Sequence, residues 1–171
     1  MMVPPLLFAG AAVALGRGLF AGYPEKVLDP SHMSAKEQAI VAACADAFFP
    51  KDGPIPISGT EAGLVAYMDR YMDRLPEGQR VLVHLLYWFI EHGPWVFGIK
   101  KRFTSLDEAG RLAVLERMRT SPIYFRRIAF LSMRTMLTMG YLAHPTVAKS
   151  MRMKADTDPF NLGNKQVEVQ P

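Results

Sequence analysis

The tetrapeptide Tyr-Met-Asp-Arg is written twice between Tyr67 and Arg74, which places two carboxylates, Asp69 and Asp73, four residues apart. On a helix that spacing puts both on one face, where paired acids can handle a proton or hold a cation. A cation would also need a histidine or a third oxygen ligand, and the sequence supplies none nearby. Arg70 and Arg74 adjoin the acids, and Arg70 with Asp73 has the spacing of a surface ion pair worth about 0.3–0.5 kcal/mol. The simplest reading is a helix with tyrosine and methionine on its packed side and aspartate and arginine in water. On that reading, charge reversal at Asp69 and Asp73 leaves the isolated fold intact.

The other reactive groups are scattered. His32, His84, His92 and His144 form no HxxxH or HxxE pattern. His84 lies in an apolar run and is expected to be a satisfied core histidine. It stands two helical turns from His92, about 11 Å, too far for both to bind one metal. His144 precedes Pro145 in a loop. Cys44 is the chain's one cysteine and sits among alanines, as a small buried hydrophobe does. One cysteine excludes an intrachain disulfide, a multi-cysteine zinc site, CxxCH haem attachment and a cysteine-held cluster. Gly16-Arg17-Gly18 lacks the strand and the glycine spacing of a phosphate loop, and no GxSxG elbow exists. The residues therefore predict no catalytic, cofactor-binding or metal-binding set within this chain.

The elements that would position these groups are helical. The chain has 171 residues, half of them hydrophobic and 21% charged, enough for one domain with a core. Ser34 and Glu37 make a capping box, followed by an apolar face of Ile40, Ala43, Cys44, Ala47 and Phe48 that stops before Pro50. A rigid Pro/Gly loop follows, and Ser58 with Glu61 reads as a second box leading to Leu64, Met68, Tyr71 and Leu75. A third helix spans about Glu77 to His92 and is apolar on nearly every side, so it should lie at the domain centre or against another protein. Ser105 with Glu108 reads as a third box, with Leu106, Ala109, Leu112, Ala113 and Leu115 as its stripe. Ser121-Pro122 opens a fifth helix expected to stop at Gly140, and His144-Pro145 opens a short last one. No segment alternates as a strand does. The fold class is all-α: a compact bundle of about five helices over residues 31–154, with an apolar arm over 1–30 and an extended polar tail over 155–171.

Charge and hydropathy narrow the partners. The net charge is +4 and the pI about 9.3, which suits an acidic protein or an anionic membrane surface. The longest cationic run, Lys100-Lys101-Arg102, is too short for a nucleic-acid tail. The stretch Val3–Leu15 is too short to span a bilayer. It has the length of a signal-peptide core but lacks a basic start, so it is read either as a processed leader or as an arm that docks on a partner or a membrane. The runs "YWFI", "PWVFG", "IYF" and "FFP" carry more aromatic surface than a domain of this size can bury, which argues for cover by a partner. Large apolar groups in loops and in the arm are the expected contacts: Leu6, Leu7 and Phe8; Pro54, Ile55, Pro56 and Ile57; Trp95 and Phe97.

Two stretches resemble a known family. Phe49-Pro50, Gly53-Pro54, Gly59, Glu61-Ala62-Gly63, Tyr67 and Asp69 occur in the order found near the start of gluconate 2-dehydrogenase small subunits, also called subunit 3. Phe103, Leu106, Arg111, Phe125, Tyr141 and Pro145 resemble their second half. The resemblance covers about residues 35–150. It implies a non-catalytic accessory subunit that packs on a large flavoprotein of the glucose–methanol–choline oxidoreductase type and supports its folding, stability or export. FAD and the substrate site would belong to that partner, and a cytochrome c subunit carrying haem c can be a third member. Tyr67 and Asp69, as matching positions, join the expected partner contacts. The resemblance also implies a periplasmic or membrane-associated setting. This N-terminus lacks the twin arginine that many such subunits carry, which leaves a cytoplasmic setting open. Two other readings remain from the residues: a helical module at a membrane surface, using the arm and Lys100–Arg102, and a metal-dependent helical oxidoreductase whose ligands converge in space.

Overall fold

The computed structural model describes residues 22–25, 27–28 and 31–151. Within them the Ser34 capping box forms in full. The Ser34 hydroxyl accepts from Glu37 N, and the Glu37 carboxylate accepts from Ser34 N at 2.8 Å. This starts α1, Ala35–Phe48. α2 is Leu64–Arg74, α3 Glu77–His92, α4 Glu108–Arg119, α5 Tyr124–Ala143 and α6 Pro145–Ser150. Two short 3-10 turns, Gly93–Phe97 and Phe103–Ser105, link α3 to α4. The described residues contain no strand, and no described helix is long and apolar enough to cross a membrane. The expected all-α bundle is the fold observed, and the expected polar tail over 155–171 lies outside the described residues.

α1 is the central helix. Ile40, Val41, Ala43, Cys44, Ala45 and Ala47 are buried around its girth, and it packs on α2, α3, α4 and α5. Its small side chains let four neighbours approach closely, while Met68, Met72, Tyr87, Met118, Met133 and Leu137 fill the space between them. Glu77–His92 was expected either at the domain centre or against another protein, and it does not take the centre. Instead α3 buries one stripe (Val83, Tyr87 and Ile90) and leaves Val81, Leu82, Leu85 and Trp88 more than half exposed.

Three local expectations are corrected. Ser58 and Glu61 exchange the bonds of a capping box, Ser58 N to the Glu61 carboxylate at 3.0 Å and Glu61 N to Ser58 Oγ at 3.2 Å. They close a turn and do not start the helix, because the left-handed Gly63 (φ 73°) resets the chain before Leu64. α4 is capped by Asp107, which accepts from Gly110 N, not by Ser105. Its buried face is Val114, Leu115 and Met118, and Leu112 is exposed. Gly140 does not end α5, which continues to Ala143. A Cβ on Gly140 would sit 2.5 Å from Tyr67 Cδ1 and 2.9 Å from Leu64 Cδ2. The glycine therefore lets α5 cross α2 in close contact.

The N-terminal segment is tied to this body. Gln38, buried on α1, accepts from Val27 N (2.8 Å) and Leu28 N (3.1 Å) and donates to Leu28 O (2.9 Å). Met33 is buried in the core.

Candidate functional site

The doubled tetrapeptide builds both a core and a clasp. Tyr67, Met68 and Met72 are buried and Tyr71 half-buried, as their spacing predicts. Asp69 is more than a solvated edge. It accepts from Ser31 Oγ at 2.6 Å and from His32 N at 2.9 Å, while His32 Nε2 meets Asp73 Oδ1 at 3.1 Å. Asp73 thus turns to a histidine some forty residues away, not to Arg70. The pair pins residues 31–32 on α2 and so fixes the entry into α1. His84 is satisfied, as expected, but by Glu37 through Nδ1, at a partly exposed position on the body's surface. Among the described residues no three His, Cys, Asp or Glu side chains form a group that could hold a metal ion.

Glu91 is the one fully buried acid among the described residues. It accepts from Tyr23 Oη (2.7 Å), Thr104 N (3.1 Å) and Thr104 Oγ1 (2.7 Å), with Arg102 Nε at 3.9 Å. Burial and the neighbouring Glu91 push the Tyr23 hydroxyl up to about 12, so it stays a donor. Burial also raises the Cys44 thiol well above its usual range, which makes it an inert core group. Glu91 thereby joins three separate pieces of chain: the N-terminal segment, α3 and the turn before α4.

An apolar groove of about 750 Å³ lies open between α3 and α5. Leu82, Leu85 and Trp88 line it from α3, and Phe125, Ile128 and Met136 from α5. Phe125 is 75% exposed and Leu82 65%. Gln79, Ser132, Tyr71 and Trp88 are the lining residues with uncharged polar groups. It can therefore offer apolar contact and a few hydrogen-bonding groups. A second hollow of about 430 Å³ opens beyond Trp88 and is lined by Phe89, His92, Trp95, Val96 and Lys36. The His92 ring lies 5.0 Å from both tryptophan rings. Burial and then the Lys36 ammonium, 3.4 Å from His92 Nε2, hold His92 below its ordinary pKa, so the ring is neutral at pH 7.

The residues expected to meet a partner are placed as follows. Leu6, Leu7 and Phe8 lie outside the described residues. Ile55 and Ile57 pack half-buried on the chain's own core, with Pro54 and Pro56 exposed beside them. Ile57 O also accepts from Tyr141 Oη at 2.8 Å. Trp95 is 49% exposed, whereas Phe97 is partly covered by the guanidinium groups of Arg117 and Arg126. Tyr67 is only 4% exposed, and its ring serves the α2–α5 crossing. Asp69 is occupied by Ser31 and His32. Of the aromatic runs, "FFP" turns inward: Phe48 meets Phe130 edge-on, and Phe49 stacks on Tyr141 at 4.0 Å. "YWFI", "PWVFG" and "IYF" each leave large side chains outside.

Reasoning from sequence missed the groove's own residues, Leu82, Leu85 and Ile128 among them. The signal was present. Leu82, Leu85 and Trp88, and likewise Phe125, Ile128 and Leu131, recur at helical spacing on faces opposite the buried stripes.

No curated protein and no solved structure matches the chain. The family model described as gluconate 2-dehydrogenase subunit 3 matches residues 35–155, which run from the first residue of α1 to just beyond α6. Over that span, well above half of its length, the chain belongs to the gluconate 2-dehydrogenase subunit 3 family.

Proposed function

We propose that this chain is a non-catalytic accessory subunit that binds and stabilises a large FAD-dependent dehydrogenase of the glucose–methanol–choline type. The partner would hold the flavin and oxidise a sugar, sugar acid or alcohol. The observation that carries this reading is the α3–α5 groove. A family named for one subunit of an oxidoreductase here presents two helix faces of Leu, Trp, Phe and Ile side chains with no cover within the described residues. Apolar side chains on that scale, set between helices that already have a packed core on their other faces, are the pattern of a permanent subunit contact. The neutral groove walls and the basic α5, which carries Arg126, Arg127 and Arg134 and no acid, favour a partner surface that is apolar at its centre and acidic at its rim.

The test is co-purification of the tagged chain with its flavoprotein, comparing wild type with Leu85→Glu and Phe125→Glu. Both substitutions lie at exposed positions, so the helical circular dichroism should persist while the complex is lost. Retention of the complex by both variants would remove the groove from the contact.

A further inference from the structure

A hollow of about 250 Å³ opens between α1 and the turn that precedes α4, and it shares no lining residue with the α3–α5 groove. Its α1 wall is Ala39, Ala42 and Ala43, whose methyl groups are too short to fill the space. Tyr23 and Thr104 line it as well. The buried Glu91 carboxylate fixes both, accepting from Tyr23 Oη at 2.7 Å and from Thr104 Oγ1 at 2.7 Å. The walls are therefore held in place by the fold itself, as in a pre-formed ligand site.

Two opposite charges line this hollow without meeting. Arg111, on α4, is half-buried. Its Nη2 donates to Thr104 O at 2.9 Å, its Nε is buried with no partner, and it makes no ion pair among the described residues. Asp46, on α1, is half-buried too. It accepts from Thr60 N at 2.9 Å and from Thr60 Oγ1 at 2.8 Å, and it also makes no ion pair among the described residues. The partners of both groups are neutral, so they orient each charge without cancelling it. A guanidinium has more donors, and a carboxylate more acceptor positions, than these bonds use. Arg102, whose guanidinium lies 3.6 Å from where a Cβ on the lining residue Gly22 would sit, adds to the cationic side.

We propose that this hollow binds a small zwitterion, namely a free α-amino acid with a short apolar side chain. The Arg111 guanidinium takes the carboxylate as a charge-assisted pair, the Asp46 carboxylate takes the ammonium, and the alanine wall receives the side chain. Selection follows from the same two charges. A simple carboxylate entering here meets Asp46, and a simple amine meets Arg111, so each gains one favourable contact and one repulsive one. A zwitterion satisfies both. The hollow joins the N-terminal segment, α1 and the start of α4, so an occupant stabilises the folded chain by mass action. The site is independent of the flavoprotein contact, which uses other residues.

The experiment titrates the full chain with L-valine, with isovalerate (the same skeleton without the amine) and with isobutylamine (without the carboxylate), followed by amide NMR shifts and by Tm. The expected result is saturable shifts at Ala42 and Ser105 and a saturable rise in Tm with valine, at an affinity at least about ten-fold above either analogue. Asp46→Asn keeps an acceptor for Thr60 and should weaken valine while strengthening isovalerate. Arg111→Gln should weaken valine while strengthening isobutylamine. A purely structural role for either residue would not produce this crossed pattern. Ala39→Leu fills the hollow without touching either charge and should abolish valine binding with circular dichroism unchanged. Absence of saturable shifts with valine overturns the proposal, and so does valine binding that survives Ala39→Leu, because the ligand would then lie elsewhere. Equal affinity for valine and isovalerate makes this a plain anion site and removes the zwitterion. If valine does not bind and Arg111→Gln releases a flavoprotein partner, the hollow is a protein contact and the amino-acid assignment falls.

Discussion

Replacing Gly140 by alanine adds one methyl group where α5 crosses α2 in close contact. The new Cβ would lie 2.5 Å from Tyr67 Cδ1, 2.7 Å from Tyr67 Cγ and 2.9 Å from Leu64 Cδ2. Carbon atoms settle at about 3.5–4.0 Å, so ring and helix must part by on the order of an ångström. Tyr67 has no room to swing away, being 4% exposed with Leu64 and Met68 fully buried beside it. Overpacking of this kind costs about 1–3 kcal/mol, and the better helix propensity of alanine returns up to about 1 kcal/mol. The net loss is then about 1–2 kcal/mol, which in a chain of this length lowers Tm by roughly 3–8 °C. Gly78 provides the control, because a Cβ there meets nothing within 4 Å in the first turn of α3. Gly78→Ala should raise Tm slightly, by about 0.5–1 kcal/mol of stability. Thermal melts followed by circular dichroism at 222 nm measure both. If Gly140→Ala raises Tm as Gly78→Ala does, the α2–α5 crossing is not as close as described. The penalty should also shrink in a Tyr67→Leu background.

Phe125→Ala should leave thermal stability within about 0.5 kcal/mol, because the side chain is 75% exposed, yet weaken a flavoprotein complex at least about ten-fold by titration. Glu91→Gln keeps the shape but replaces a buried acceptor of three hydrogen bonds; a loss of about 1–3 kcal/mol is expected by denaturant melt, with earlier proteolytic cleavage near Tyr23. Asp69→Ala removes the acceptor for Ser31 and His32 and should cost about 1–2 kcal/mol by the same melt, contrary to the expectation that this edge is solvent alone. His92 is held below its ordinary value of 6.5 by burial and by Lys36. The unfolded chain therefore binds a proton first as pH falls, and the stability tied to a neutral His92 is complete above 6.5 and lost on the acid side of it. Melts from pH 8 to 5 should show this decline, and His92→Gln should flatten it.

The helices were legible where local chemistry decides them. Ser34 and Glu37 can satisfy the N-terminus of α1 with no help from elsewhere, and Pro76 and Gly93 bracket α3 at the residues expected. Boundaries slipped where two local signals compete. Ser105 and Asp107 are both good caps two residues apart, and the 3-10 turn at Phe103–Ser105 hands the role to Asp107. Gly140 was ambiguous for a deeper reason. A glycine that ends a helix and a glycine that admits a neighbouring ring look alike until the neighbour is known, and here that neighbour is Tyr67. The same holds for Asp69 and Glu91, whose partners lie far away in the chain. The excess of aromatic surface was readable from composition. Its location was not, because "FFP" and "IYF" are equally apolar, and only tertiary packing stacks Phe49 on Tyr141 while leaving Phe125 outside.

The proposed role of this chain is to hold a flavoprotein. It is tested most directly by expressing a large FAD-dependent dehydrogenase subunit from the same cells with and without the chain, then measuring soluble yield, bound FAD absorbance and turnover. The expected result is co-elution of the two chains and a several-fold loss of soluble, FAD-loaded partner when this one is omitted. A large subunit that folds, binds FAD and turns over equally well alone would contradict it.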